Sequence, residues 1–402
     1  MSPSKVWLFF GAAAVVLLSG VLVGTIYKPS PSGEALRYFD PDFLALAAAY
    51  QRSATFIFVA RQLLLFGTLA AAASMLGRHY PTRLQASLSS TAASLAVIIL
   101  LLFLLTFPLD YYRGFILEHR FGLSVQSFEA WLSDYLKNFS ISFLLILLAL
   151  LGLHLLMIRL PGRWWAAAGL FSTLFLIVST YLYPLIIDPL FYRFKVLEDQ
   201  QMRAGILEMA SEAGLDVEQV LVADASRRTT KANAYFAGMG KTKRIVIYDN
   251  LLHRFSSGET LAVIAHEMGH WKYSHLVKGI FLGAAGMFLG LWLLQRLLEG
   301  MGAKGGLHAL IVALLFLALF SFVSLPLQNA FSRAFERQAD LEAIRLTKDP
   351  LTVITLEQNL AQANLAEVEP HPFVKFVLYT HPPVLERIGM ARHEAEKIGA
   401  GN

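Results

Sequence analysis

The chain has 402 residues, of which 56% are hydrophobic and only 16% are charged. Soluble globular proteins carry charge on about a quarter of their residues, so the composition excludes an ordinary water-soluble enzyme and reads as a membrane protein. A net charge of +5 without a Lys/Arg block argues against a nucleic-acid partner, and the absence of cysteine removes disulfides, thiolate metal ligands and cysteine nucleophiles together.

Seven apolar stretches are long enough to cross a bilayer, which takes about 20 helical residues each. They cover residues 6–27, 55–76, 88–107, 139–158, 164–187, 279–298 and 307–325. The first follows Lys5, yet it is too long for a signal-peptide core and no clear small-x-small cleavage site follows, so it reads as a span. The sequence therefore divides into 1–187 (spans one to five with their loops), 188–278 (a polar stretch), 279–325 (spans six and seven) and 326–402 (polar again). The two polar stretches must meet to make one domain. The lipid bilayer is thus a partner. Lys272, Lys278, Arg333 and Arg337 lie near span ends on the side of the polar stretches, which places that side in the cytoplasm. Within the spans, Arg61 is expected to face protein or water. His154 reads as a packed core residue, and Arg296, near a span end, as one that snorkels.

In the first polar stretch, "NAYFAG" and "RIVIYD" flank a turn carrying Gly238 and Gly240, the pattern of a β-hairpin. Such a hairpin is either plainly structural or an edge on which a peptide lies extended. Then comes "VIAHEMGHWKYSH", residues 263–275. His266 and His270 are four apart in a helical stretch, so both imidazoles share one face and can reach one Zn²⁺. Glu267 lies about 100° round the axis, placed as a general base rather than a ligand. His275 falls outside that face and reads as a helix-end residue. A catalytic zinc needs a third protein ligand. "SRAFERQADLEAIRL", residues 332–346, offers Glu336, with Asp340 one turn on to receive the other ring N–H of a ligand histidine. By spacing alone this pair is equally an ordinary solvated acidic pair, and Glu342 is also near.

"VIAHEMGHWKYSH", "SRAFERQAD" and "THPPVLERI" together resemble the M48 zinc metalloproteases, in particular the seven-span CAAX prenyl protease branch (the Ste24 type). "NAYFAGMGKTKRIVIYDNLL", "YYRGFILEHRFGL" and "DPLFYRFKVLED" resemble further segments of that family. The resemblance implies His266, His270 and Glu336 as ligands of one Zn²⁺ and Glu267 as the catalytic base. It implies a predominantly α, polytopic fold, with seven transmembrane helices around an intramembrane chamber and a zincin-type catalytic domain bearing a small β-sheet. It also favours Asn233 and Tyr235 as substrate-binding residues. One departure is Lys231, in "TTKANAYF", where the eukaryotic pattern has histidine.

His381 and Arg387 of "THPPVLERI" are candidates for stabilising the oxyanion of peptide hydrolysis or for holding the substrate. The structural alternative is a proline-fixed helix start with Arg387 in an ion pair. The expected activity is that of a membrane zinc endopeptidase acting on a peptide or protein, prenylated or membrane-associated. The rival within the same chemistry is a quality-control protease indifferent to prenylation. No ER-retention signal or prenylation box ends the sequence, and the expected location is the bacterial inner membrane.

Overall fold

The computed structural model describes residues 2–27, 29–79, 87–215, 217, 219–237, 243–303 and 305–400. In chain order the membrane half contains α1 (Pro3–Ile26), α2 (Ala35–Tyr38), α3 (Pro41–His79), α4 (Leu88–Tyr111), α5 (Leu117–Arg120), α6 (Phe128–Arg159), α7 (Trp164–Leu182) and α8 (Asp188–Phe191). Two π turns interrupt it, Tyr112–Ile116 between α4 and α5 and Tyr183–Ile187 between α7 and α8. There follow β1 (Phe194–Val196), α9 (Gln200–Glu212), β2 (Gln219–Ala223), β3 (Ala234–Ala237), β4 (Arg244–Tyr248), α10 (Asp249–Arg254) and α11 (Ser257–Lys272). The chain ends with α12 (His275–Gly300), α13 (Gly306–Thr347), α14 (Pro350–Asn364), α15 (Pro372–Leu378) and α16 (Val384–Ala400).

Among the described residues seven helices are long and apolar enough to cross a membrane. They are α1, α3, α4 with its π turn, α6, α7 with its π turn, α12 and α13. This is the number expected from hydropathy. In sequence around the bundle, α3 packs on α4, α4 on α6, α6 on α7, α7 on α12, α12 on α13 and α13 back on α3, while α1 lies against α3, α12 and α13. Leu294, Leu297, Phe316, Ile311 and Leu95 form the fully buried centre. Burying one such side chain is worth about 1.5–3 kcal/mol in water. In lipid the gain comes instead from close packing. Gly290 and Gly169 provide it here, since a Cβ at either would meet Phe320 at 3.0 Å or Phe288 at 2.6 Å.

Span ends differ from the sequence expectation in a consistent direction. α3 starts at Pro41 and α6 at Phe128, well before the apolar runs at 55 and 139. The amphipathic residues ahead of each run simply continue the helix out of the bilayer. The largest difference concerns the last span. The expected boundary at 325/326 lies inside one unbroken helix, α13, which carries Pro326 in its interior. Proline deletes one N–H but is tolerated in membrane helices whose neighbours hold them in place. α13 thus runs from the bilayer directly into the metal-binding segment.

The sheet has the order β1-β2-β4-β3, with β2 parallel to β4 and the other pairs antiparallel. The hairpin is β3–β4, paired Ala234↔Ile247 to Ala237↔Arg244. Its glycines Gly238 and Gly240 lie outside the described residues. β3 is an edge strand. Ala234 and Phe236 face the core shared with Ile264, Ala265 and Met268 of α11. Tyr235 faces the opposite side with Tyr192, Phe194 and Tyr248.

Candidate metal centre

α11 begins at a capping box. The Ser256 Oγ accepts the Glu259 N–H at 3.2 Å and the Glu259 carboxylate accepts the Ser256 N–H at 2.8 Å. The Asn359 side chain donates to the other Glu259 oxygen, which ties the helix start to α14. One face of α11 then packs along α13. The contact is closest at Gly269, where a Cβ would stand 2.8 Å from the Ala339 Cα. Only glycine lets the two backbones approach this far, and the approach brings Glu336 under the two histidines.

His266 Nε2 and His270 Nε2 lie 3.1 Å apart. The Glu336 carboxylate is 3.2 Å from the first and 3.5 Å from the second. These three donor atoms lie within 4.8 Å of one another, and Glu336 Oε2 is buried, close to His266 Nε2 and His381 Nε2 but in well-aligned hydrogen bonding with no group among the described residues. Nitrogen and carboxylate donors converging with an orphaned buried oxygen fit a bound divalent cation. Glu342, the alternative left open by spacing, faces elsewhere. It receives Lys272 Nζ and the Tyr273 hydroxyl, both at 3.0 Å, at the end of α11.

Asp340 Oδ1 lies 2.8 Å from His266 Nδ1. Arg387 is locked behind Asp340, its Nε donating at 3.0 Å and its Nη2 at 2.5 Å, with Glu357 2.9 Å from that same Nη2. The guanidinium therefore supports the His266 side of the site from the rear instead of facing the open pocket. Burial depresses the imidazolium of His266, but the contacts with Asp340 and Glu336 outweigh it and lift the pKa to about 10. The surrounding carboxylates thus favour positive charge at this position, which a divalent cation would supply to a neutral ligating ring. Burial raises the pKa of Glu267, and its carboxylate takes a backbone hydrogen bond from Phe236 of β3.

His381 Nε2 stands 3.3 Å from Glu336 Oε2 with its side chain 57% exposed, on the open side of the site. Asn233 is exposed, and its carbonyl accepts the Tyr248 N–H at 2.9 Å. The Tyr235 hydroxyl donates to Asp188 at 2.8 Å, so its side chain points away from the metal helix. Its ring lies with Tyr192, Phe194 and Tyr248 on the face of the sheet opposite α11.

Three contributors escaped the sequence reading. His275 opens α12 as expected of a helix-end residue, but its Nδ1 meets His270 Nδ1 at 3.0 Å and its Nε2 meets Gln338 Oε1 at 3.0 Å. Ser274, in the left-handed region at φ 54°, turns the chain to allow this. The third histidine in "HEMGHWKYSH" was the available signal. Glu357 and Gly269 carried no local pattern, because their partners are distant in sequence.

Residues 196–395 match the family described as Peptidase family M48, and residues 49–193 match "CAAX prenyl protease N-terminal, five membrane helices". "Uncharacterized metalloprotease YhfN" of Bacillus subtilis is 32% identical over 76% of this chain and 74% of its own length. The chain belongs to peptidase family M48. "CAAX prenyl protease 1 homolog" of Arabidopsis thaliana is 33% identical over 72% of this chain and 70% of that protein. "CAAX prenyl protease 1" of Saccharomyces cerevisiae is 28% identical over 81% and 78%. The fold is shared with S. mikatae Ste24p, at a TM-score of 0.79, 22% identity and coverage of 96% of this chain and 98% of that one. This M48 member is a multi-pass membrane metalloprotease of the CAAX prenyl protease type, and its family implies a metal cofactor.

Proposed function

We propose that the chain is a zinc endopeptidase in which His266, His270 and Glu336 hold one Zn²⁺ and Glu267 is the general base. The observation that carries this reading is the convergence of those three donors, from two helices some seventy residues apart, with Glu267 close enough to interact with all three. Bound zinc would supply Lewis acidity, lowering the pKa of water at the site and polarising the scissile carbonyl. Glu267 takes the proton from the attacking water and passes it to the leaving amine. Asp340 and His275 each face the second nitrogen of a ligand ring and fix its tautomer. Asp340 is itself held by Arg387. His381, on the open side, is placed to donate to the developing oxyanion. β3 offers its free edge to an extended peptide. The Phe236 N–H bonded to Glu267 supports this, because it sets that edge beside the proposed base.

The substrate is a peptide or protein reached from the membrane, and a prenylated C-terminal segment fits the architecture best. The seven spans, with α13 running from them into the catalytic unit, put that unit where a membrane-held substrate can reach it. Residues 188–278 and 326–402 make the catalytic unit around the last two spans. It faces the cytoplasm, as the Lys and Arg residues near the span ends on that side favour, and the membrane is a bacterial cytoplasmic (inner) membrane. The test compares cleavage of a farnesylated CAAX peptide with its unmodified counterpart, with and without chelator, in wild type and Glu267→Gln. Glu267→Gln is expected to keep its metal and lose about 10²–10⁴-fold in rate. Wild-type rates in that variant, or equal turnover of the two peptides, would contradict the base or the prenyl preference respectively.

A further inference from the structure

Three features of the sequence stay unused by the metal centre: "YYRGFILEHRFGL", "DPLFYRFKVLED" and Lys231. In the structure they meet at strand β3. Each of the two segments contains a π turn or follows one, at the end of a span. A π turn adds a residue to the helix and re-aims what comes next. After the first, Glu118 is held at 12% side-chain exposure. It accepts from the Tyr50 hydroxyl at 2.6 Å, pairs with Arg113 and receives Lys231 Nζ at 2.8 Å. After the second, Asp188 is buried and accepts from the Tyr235 hydroxyl at 2.8 Å. Arg244, paired with Ala237 at the end of the hairpin ladder, donates to the Pro184 carbonyl inside that same π turn. The loop ahead of Lys231 is stitched to the loop after α5, with Thr229 Oγ1 donating to the Leu123 carbonyl at 2.7 Å and the Thr230 N–H to the same carbonyl at 3.2 Å.

A four-residue edge strand with a neighbour on one side only is weakly fixed by its own ladder. Here the strand is pinned just ahead of its start, through Lys231, and at its second residue, Tyr235, and both pins are carboxylates at the ends of the third and fifth spans. We propose that Glu118 and Asp188 are positioning residues that, through Lys231 and Tyr235, hold the peptide-binding edge of β3 against the metal and so set affinity for an extended substrate backbone. The proposal rests on the reading of β3 as that edge. Its consequence is that a displacement of the third or fifth span is felt at the substrate strand before it is felt at the metal ligands, which sit on α11 and α13.

The test uses the full chain in lipid nanodiscs and one fluorogenic peptide, together with the same peptide N-methylated at backbone positions flanking the scissile bond. Lys231→Met leaves Glu118 paired with Arg113 and Tyr50, and Tyr235→Phe removes the second pin. Each is expected to raise KM about tenfold, equivalent to ~1.4 kcal/mol, with kcat within about twofold of wild type and metal content unchanged. Lys231→Arg is expected to restore KM. A fall in kcat at unchanged KM, or failure of arginine to rescue, overturns the proposal. Wild type indifferent to N-methylation overturns the β3 reading and this proposal with it. Wild type sensitive to N-methylation, with both variants keeping the wild-type KM, overturns this proposal alone.

Discussion

Behind His266 two carboxylates compete for one guanidinium. Asp340 takes Arg387 with both oxygens, and Glu357 shares a single nitrogen at 2.9 Å. Glu357 is 3% exposed, and burial pushes its pKa up to about 7, against the opposing pull of Arg387. A raised acid binds its proton in the folded chain while the unfolded chain has already lost it. Stability of the metal-free protein therefore falls as pH rises from the ordinary 4.5 to about 7. The contribution is at most ~3 kcal/mol. Thermal unfolding of chelated protein, followed from about pH 5 to about pH 7.5, is expected to show a steeper decline for wild type than for Glu357→Gln. Parallel slopes would mean that Glu357 is ionised throughout.

At the scale of elements the centre depends on how closely α11 and α13 pack. The methyl of Gly269→Ala would meet the Ala339 Cα at 2.8 Å and the Glu342 Cβ at 3.1 Å, both immobile parts of α13. The helices must separate, and Glu336 must recede from the two imidazoles. Metal affinity is expected to fall at least about tenfold with helix content unchanged, measured by metal competition with a chromogenic chelator. Unchanged affinity would show that the helices have slack. This dependence also explains what could be read in advance. The i, i+4 spacing of His266 and His270 is a property of one helix, so the sequence displays it. The choice of Glu336 over Glu342 is a property of two helices in contact, and spacing left it open until the family resemblance chose. His275, Glu357 and the Tyr235–Asp188 bond belong to contacts between elements and left no periodic trace. Hydropathy counted the spans correctly but drew several too short, because α3 and α6 begin, and α13 continues, as helix where the sequence is not greasy.

At the scale of the whole molecule, α13 joins bilayer and chemistry in one rod, and the unit around it faces one side of the membrane. The chain has no cysteine, so a single Leu351→Cys at the exposed start of α14 is a clean reporter. In intact bacterial cells it is expected to resist a membrane-impermeant maleimide and to label once the inner membrane is opened; labelling of intact cells would reverse the orientation. The account as a whole rests on one ion shared between α11 and α13. Its most direct test is zinc stoichiometry of purified wild type beside Glu336→Ala, which leaves both histidines in place. The expected result is one zinc per wild-type chain and a large loss of both zinc and cleavage in the variant. Equal zinc in the two proteins, or cleavage by a Glu336→Ala protein free of metal, would contradict it.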